Sequence, residues 1–316
     1  MKKILVSMLA VATFAACSHD SEVVNIPQGD TPMEFGTGIA VTRVAADATT
    51  FEDEDLIKVV GFVAAAAPTA YTDALFAENF KYNLTETKFA SDASPSAAYW
   101  QLLGKHHFYA YYPNTVAVPA ADGTDVTLPA PAATGMASEV LWANVEDITF
   151  NGQDGFTKPA LTFARKLAKV RFRVQFDDGY SDATLKLNKI SFTATKQGAA
   201  TMNLFTGVVT PVTGNVTFAP AAGDEAIAAY AAAPAKDATD YNALAWAPML
   251  YATTDAVSAM TVTINNQDIP VSGLTGFTVA EGQITYVLLT VKRTGIEFTA
   301  TINAWTEGAG GSGDVQ

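Results

Sequence analysis

Few side chains in this chain are placed to do chemistry. Its one cysteine, Cys17, follows Lys2 and Lys3, an apolar stretch over residues 4–14 too short for a permanent transmembrane helix, and the small pair Ala15 and Ala16. Lipoprotein signal peptidase reads this arrangement before the thiol is acylated, although Phe14 stands where leucine is usual. The other reading is a plain secretory signal cut after Ala16. His106 and His107 are adjacent, so on a strand they point to opposite faces and cannot jointly hold a metal in the ordinary way. One ring packed and one exposed is expected, and His19 is the only further histidine. The acidic run Glu52, Asp53, Glu54 and Asp55 lacks the spaced oxygens and turn glycine of a calcium loop, and reads as a solvated turn before a strand at Leu56–Ala64.

The remaining motifs assign no reaction. Residues 308–313 spell G-x-G-x-x-G, but with three residues left there is no helix to receive a pyrophosphate. No HExxH or GxxxxGK[ST] occurs, and no carboxylate pair is singled out for glycoside hydrolysis. No catalytic residue, metal ligand or cofactor is therefore assigned, and a non-enzymatic protein is expected. Tyr99, Trp100, Phe108, Tyr109, Tyr111 and Tyr112 crowd one short interval. They suit either a sugar-stacking platform or the core and facing rim of a sandwich, filled by Phe108 with Ala110 and Tyr112 or by Tyr109 with Tyr111. Trp246 and Trp305 read as core anchors.

Several elements must position these groups. With the signal removed, 300 residues remain, and the net charge of −13 becomes −15 on loss of Lys2 and Lys3. That charge disfavours nucleic acid and anionic lipid, which leaves the lipid on Cys17 as the membrane contact. With no cysteine left for a disulfide, stability must come from burial. Period-two alternation dominates: Val170, Phe172, Val174 and Phe176 alternate with Lys169, Arg171, Arg173 and Gln175. Ile190, Phe192 and Ala194 repeat the pattern, as do Met260, Val262 and Ile264, and Ile296, Phe298, Ala300 and Ile302. Leu161, Phe163 and Leu167 have the opposite parity to Val170, which predicts a bulge, bend or change of partner near residues 167–169. Gly295 between two strand-like runs predicts a closing hairpin.

These patterns predict an all-β protein of two tandem β-sandwich domains with Greek-key connections. The predicted divisions are a signal peptide at 1–16, a tether at 17–32, an N-terminal domain at 33–160 and a C-terminal domain at 161–316. A short helix is expected near residues 73–79 and a long surface connection at 119–137.

The order and spacing of several segments resemble the fimbrillin-like, or type V pilin, surface lipoproteins. The carriers are Met33-Glu34-Phe35-Gly36-Thr37-Gly38 with Thr42-Arg43, then Phe108-Tyr109-Ala110-Tyr111-Tyr112-Pro113. Leu161-Thr162-Phe163-Ala164-Arg165-Lys166-Leu167-Ala168-Lys169-Val170 follows, without the histidine that often precedes Leu-Ala-Lys in the family. Trp246-Ala247-Pro248, Tyr286 to Leu289 and Ile302-Asn303-Ala304-Trp305 complete the set.

The resemblance implies two sandwiches of transthyretin-like topology and a structural subunit of surface fimbriae that serves adhesion. It also implies cleavage after an arginine, matched here by Arg43, which removes the first strand so that a strand from another subunit fills the groove. Partners would be other fimbrial subunits, host or bacterial surface ligands, and the outer membrane through Cys17. The alternative is a non-polymerising outer-membrane lipoprotein that binds a glycan or host protein, with Arg43 an ordinary edge residue. A glycosidase ranks last.

Overall fold

The computed structural model describes residues 28–37, 51–132, 139–152, 156–176, 187–220, 246–274, 277–292 and 295–304. Cys17, Arg43, Trp305 and the glycine-rich tail lie outside the described residues. Within these residues the regular secondary structure is strand apart from one 3-10 turn. The first half comprises β1 (Gln28–Pro32), β2 (Glu34–Thr37), β3 (Leu56–Ala64), β4 (Phe76–Asn83), β5 (Lys88–Ser91), β6 (Tyr99–Gln101), β7 (Lys105–Tyr112), β8 (Asp125–Leu128), β9 (Leu141–Ile148), β10 (Ala160–Leu161) and β11 (Ala164–Arg165). The second half comprises β12 (Leu167–Phe176), β13 (Leu187–Ala194), β14 (Ala200–Asn203), β15 (Val209–Pro211), β16 (Val216–Phe218), β17 (Met249–Tyr251), β18 (Val257–Ile264), β19 (Gln267–Pro270), β20 (Gln283–Lys292) and β21 (Gly295–Ala304).

The first body is an eight-stranded sheet in the order β10-β2-β5-β4-β3-β7-β9-β11. Its two edge strands are separated in the chain only by Thr162 and Phe163, so one short segment holds both edges and the sheet must curl around its contents. Those contents are mainly aromatic: Phe35, Phe51, Phe80, Phe89, Phe108 and Phe163 are all buried in one cluster. Gly61 on β3 faces inward where a Cβ would lie 2.3 Å from the Phe76 ring, so this position of the strand has to be glycine for Phe76 to pack.

β3 and β7 are buried on both faces. Ile57, Val59, Phe108 and Ala110 enter the inner core, whereas Val60, Phe62, Tyr109 and Tyr111 enter a second core shared with β14 and β17. That second core is sealed by a three-stranded sheet, β15-β14-β8, in which β8 pairs antiparallel with β14 over Asp125–Leu128. Val126 and Leu128 are buried there, so the connection expected across 119–137 contains a strand and is partly interior. The third core lies between the sheets β17-β12-β20-β21 and β16-β13-β18-β19, where Phe172 stacks on Trp246 with centroids 5.5 Å apart.

The opposed parities around residue 167 are resolved without a bulge. The pairing of β12 with β20 runs without a register shift from Lys169 to Phe176. Leu167 faces the middle core while Ala168, Val170 and Phe172 face the third, so each parity is served by a different core. The change of partner is real: β11 pairs with β9, and β12 pairs with β17 and β20. Leu161 and Phe163 belong to the first core, and Leu167 to the middle one. Lys169, expected on a solvated face, is fully buried because its face of β12 is covered as well.

Other local expectations need correction. The helix expected at 73–79 is a single 3-10 turn at Tyr71–Asp73, after which β4 begins because Phe76 and Phe80 alternate into the core. Strand pairing starts inside the segment expected as tether, where β1 lies antiparallel to β6. The closing hairpin is present as β20 and β21, in register from Gln283↔Ala304 to Lys292↔Gly295.

Candidate functional site

The N-terminal strand β2 is the element whose position carries functional information. It lies between β5, to which it is antiparallel, and β10, to which it is parallel. Glu34, Phe35 and Gly36 pair with Ala90, Phe89 and Lys88, while Gly36 and Thr37 pair with Ala160 and Leu161. Alternation orients it: Met33 and Phe35 are buried and Glu34 between them is half-buried, so a shift of one residue would turn the apolar pair outward. The Phe35 ring meets Phe80 edge-on at 5.3 Å and Phe108 at 4.8 Å. Two further main-chain bonds hold the segment, Met33 N to the Ala98 carbonyl at 2.9 Å and Gly36 N to the Pro159 carbonyl at 3.0 Å.

Electrostatics fix the outward face of the strand. Lys88 Nζ, on β5, donates to Glu34 Oε1 at 2.7 Å, and Lys158, two residues before β10, pairs with Glu34 Oε2. Burial alone would raise the Glu34 pKa, but hydrogen bonds from Lys158 and Lys88 outweigh it and hold the carboxyl below its usual range. Lys88 is raised in turn by its hydrogen bonds to Glu34 and Glu86. A cation from β5 and one from the segment leading into β10 thus meet at one carboxylate.

The residues singled out for chemistry do not converge on a site. Both histidines are fully buried, against the expectation of one exposed ring: His106 packs edge-on against Trp100 of β6, and His107 lies within hydrogen-bond reach of the Ala64 carbonyl. His106 Nε2 accepts from Gln101 N at 3.0 Å, which makes Nδ1 the protonated nitrogen, donating to the Ile148 carbonyl at 3.2 Å. Burial lowers the His106 pKa. Glu52 and Asp55 close the expected turn, with Glu52 N donating to Asp55 Oδ2 at 2.7 Å. Among the described residues, no three His, Cys, Asp or Glu side chains gather as a metal site.

The aromatic interval is not a surface platform. Trp100, Phe108, Tyr109 and Tyr111 are buried, and Tyr99 and Tyr112 are half-buried. Tyr109 donates to Glu146 at 2.5 Å, and burial together with that carboxylate pushes its pKa up. Lys88 and Lys158 were not legible as functional residues. They lie far from Glu34 in sequence, and only the strand order brings them to it.

The polar contacts of the middle core join the two halves. Trp142 Nε1 donates to the Leu204 carbonyl at 2.8 Å, and Tyr251 donates through its hydroxyl to the Pro129 carbonyl at 2.6 Å. Lys166 pairs with Glu281 at 2.6 Å while lying 5.4 Å from the centre of the Trp142 ring. Gln197, fully buried, uses its side-chain amide to accept from Tyr251 N and donate to the Tyr251 carbonyl, so it satisfies the backbone of β17.

Comparison with known proteins places this arrangement. A cell adhesion protein candidate from Bacteroides uniformis superposes with a TM-score of 0.58 at 19% identity, covering 87% of this chain and 98% of that one. A second such candidate, from Bacteroides ovatus, gives 0.56 at 16% identity with the same coverages. A fimbrial protein from Bacteroides vulgatus gives 0.51 at 11% identity, covering 79% and 92%. At these identities the likeness is one of fold. No curated protein matches the sequence. The sequence profile of a family described as fimbrillin-like matches residues 42–305, most of the chain, and the protein belongs to the fimbrillin-like family.

Proposed function

We propose that the protein is a structural subunit of cell-surface fimbriae that is delivered as a lipoprotein and assembled by β-strand exchange. In this reading Cys17 carries the lipid that moors the precursor to the outer membrane, and cleavage after Arg43 frees it. The same cut severs β1 and β2 from the body. The observation that carries the reading is that β2, on the N-terminal side of Arg43, is an inner strand with Phe35 in the core. Its departure leaves main-chain groups of β5 and β10 without partners and exposes a slot beside Phe80 and Phe108. Buried main-chain groups left unpaired are costly, so the slot favours an incoming strand with apolar side chains at alternate positions. Membership of the fimbrillin-like family supports a structural role.

The test is treatment of the exported form with a trypsin-like protease. One cut after Arg43 followed by a concentration-dependent ladder is expected. A cut protein that stays monomeric at high concentration overturns the assembly step. The glycan-binding alternative rested on exposed aromatics between residues 99 and 112, and their burial removes that support.

A further inference from the structure

One end of the first body is apolar at its surface, and it is the end from which the chain leads back to Cys17. We propose that this end is a docking surface for a lipid bilayer, so that a precursor moored through Cys17 also rests on the membrane through Leu102 and Leu103. The proposal rests on the lipoprotein reading and adds a second membrane contact to it.

The bend between β6 and β7 presents two adjacent leucines, Leu102 at 46% exposure and Leu103 at 58%. Gly104, which completes the bend, has φ +91°, and a Cβ there would lie 2.6 Å from the Val63 side chain. Only glycine lets the bend sit this close on the end of β3, which holds the leucines out as a fixed projection. Beside them, Ala65, Ala66 and Ala67 are exposed where the chain leaves β3, and no residue from Val59 to Thr72 is charged. Leu75, just before β4 on the same side of the sheet, is 41% exposed. Lys105, which follows the bend, is neutralised by Asp147 at 2.8 Å. Exposed leucines scattered singly need no explanation, but a projecting pair beside an uncharged loop is a contact surface in form.

The position of the N-terminal strand identifies the occupant. β1 runs antiparallel to β6 with Gln28 opposite Gln101, so Gln28 stands beside the bend. Only residues 18–27 separate it from Cys17, and ten residues fully extended span at most about 35 Å. A lipid on Cys17 therefore brings this end of the body to the bilayer first. Charge argues the same way. At −15 the exported form is repelled by its own copies and by anionic surfaces, so a docking face has to be uncharged and to gain by burying apolar groups at the membrane interface. Seating two half-exposed leucines there biases the moored protein toward the docked orientation by about ten- to a hundredfold.

The experiment uses the exported chain from Cys17 onward. Its single thiol is coupled to a maleimide phospholipid in phosphatidylcholine vesicles, which supplies the mooring whether or not the cell acylates Cys17. Tryptophan is placed by Leu103→Trp or, as the control, by Leu84→Trp, a site 52% exposed at the far end of β4. Quenching by lipids brominated in their acyl chains is read after subtraction of the unsubstituted protein. Leu103→Trp should be quenched and Leu84→Trp should not. Adding Leu102→Asp to the Leu103→Trp protein should lower the ratio of docked to undocked molecules by about tenfold.

Equal quenching at the two sites, or none at either, overturns the docking surface. So does shielding of Leu103→Trp from acrylamide in unmoored protein: at high dilution it would show that the chain covers its own leucines, and at high concentration alone that a second copy does. The intact mass of protein extracted from cells reads the lipid separately. An unmodified Cys17 overturns the lipoprotein reading, and with it the docking, even where the vesicle result is positive.

Discussion

Phe35→Ala separates the role of β2 in the uncut protein from its role in the proposed assembly. The Phe35 ring is fully buried and has two edge-to-face partners, Phe80 at 5.3 Å and Phe108 at 4.8 Å. Truncating a buried phenylalanine to alanine costs about 3–5 kcal/mol through lost transfer energy and the cavity left behind. This site belongs in the upper part of that range because the aromatic neighbours sit on central strands β4 and β7 and cannot collapse inward freely. With a urea dependence of roughly 1–3 kcal/mol per molar, the unfolding midpoint of the uncut protein should fall by about 1–5 M. The assay is urea denaturation of the uncut precursor alongside the cut, strand-exchanged assembly, in which β2 is replaced. The assembly should be indifferent to the substitution. A loss below about 1 kcal/mol in the precursor would mean that β2 is not a core strand. An equal loss in both forms would mean that β2 never leaves, and strand exchange through this slot would be refuted.

Three further outcomes follow from the packing. Gly207 has φ +66°, and a Cβ there would lie 2.4 Å from the Trp142 ring; Gly207→Ala should cost about 1–3 kcal/mol in thermal or chemical unfolding and loosen the Trp142 bond to Leu204. Tyr251→Phe removes the hydroxyl that bonds the Pro129 carbonyl and should cost about 1 kcal/mol, read as the same lowered midpoint by probes in either half because the contact joins them. His106 is held neutral by burial and by accepting from Gln101 N, so its folded pKa lies below the ordinary value of 6.5. The unfolded chain therefore binds the proton first, and stability contributed by the neutral ring is present above pH 6.5 and lost as pH falls below it. Unfolding midpoints between pH 7 and 5 should decline, with a flatter decline in His106→Gln.

Much of the fold was legible because alternation reports burial directly. Ile190, Phe192 and Ala194 behave as their spacing requires, as do Met260, Val262 and Ile264. What misled was the assumption that each strand has one dry face. β3, β7 and β12 separate two cores each, so Lys169, Tyr109 and Tyr111 are interior although their neighbours in sequence are too. No local signal distinguishes such a strand from an amphipathic one when its second face carries a lysine or tyrosine. The same holds for β8, whose distant pairing with β14, as in Met202↔Val126, gives Val126 and Leu128 a core that nothing nearby in sequence announces. Glu34 was visible as part of a motif, but its partners Lys88 and Lys158 depend on strand order, which period-two patterning does not encode.

The energetics of β2 bear on when it can leave. Met33 and Phe35 together bury side chains worth about 1.5–3 kcal/mol each. The main-chain bonds of β2 to β5 and β10 add roughly 0.5–1.5 kcal/mol apiece. Taken together these are comparable to the whole stability of an ordinary domain, about 5–15 kcal/mol. A body that lost β2 outright would therefore sit near its unfolding threshold and offer unpaired strand edges to any neighbour. Cutting the chain after Arg43 removes the covalent link without removing these contacts, so β2 should stay seated until a competing strand displaces it residue by residue. On that account cleavage grants permission for exchange and does not drive it. In the proposed exchange the driving force is the difference between two plugs for one slot, set mainly by how well each fills the space of Met33 and Phe35 and pairs with β5 and β10.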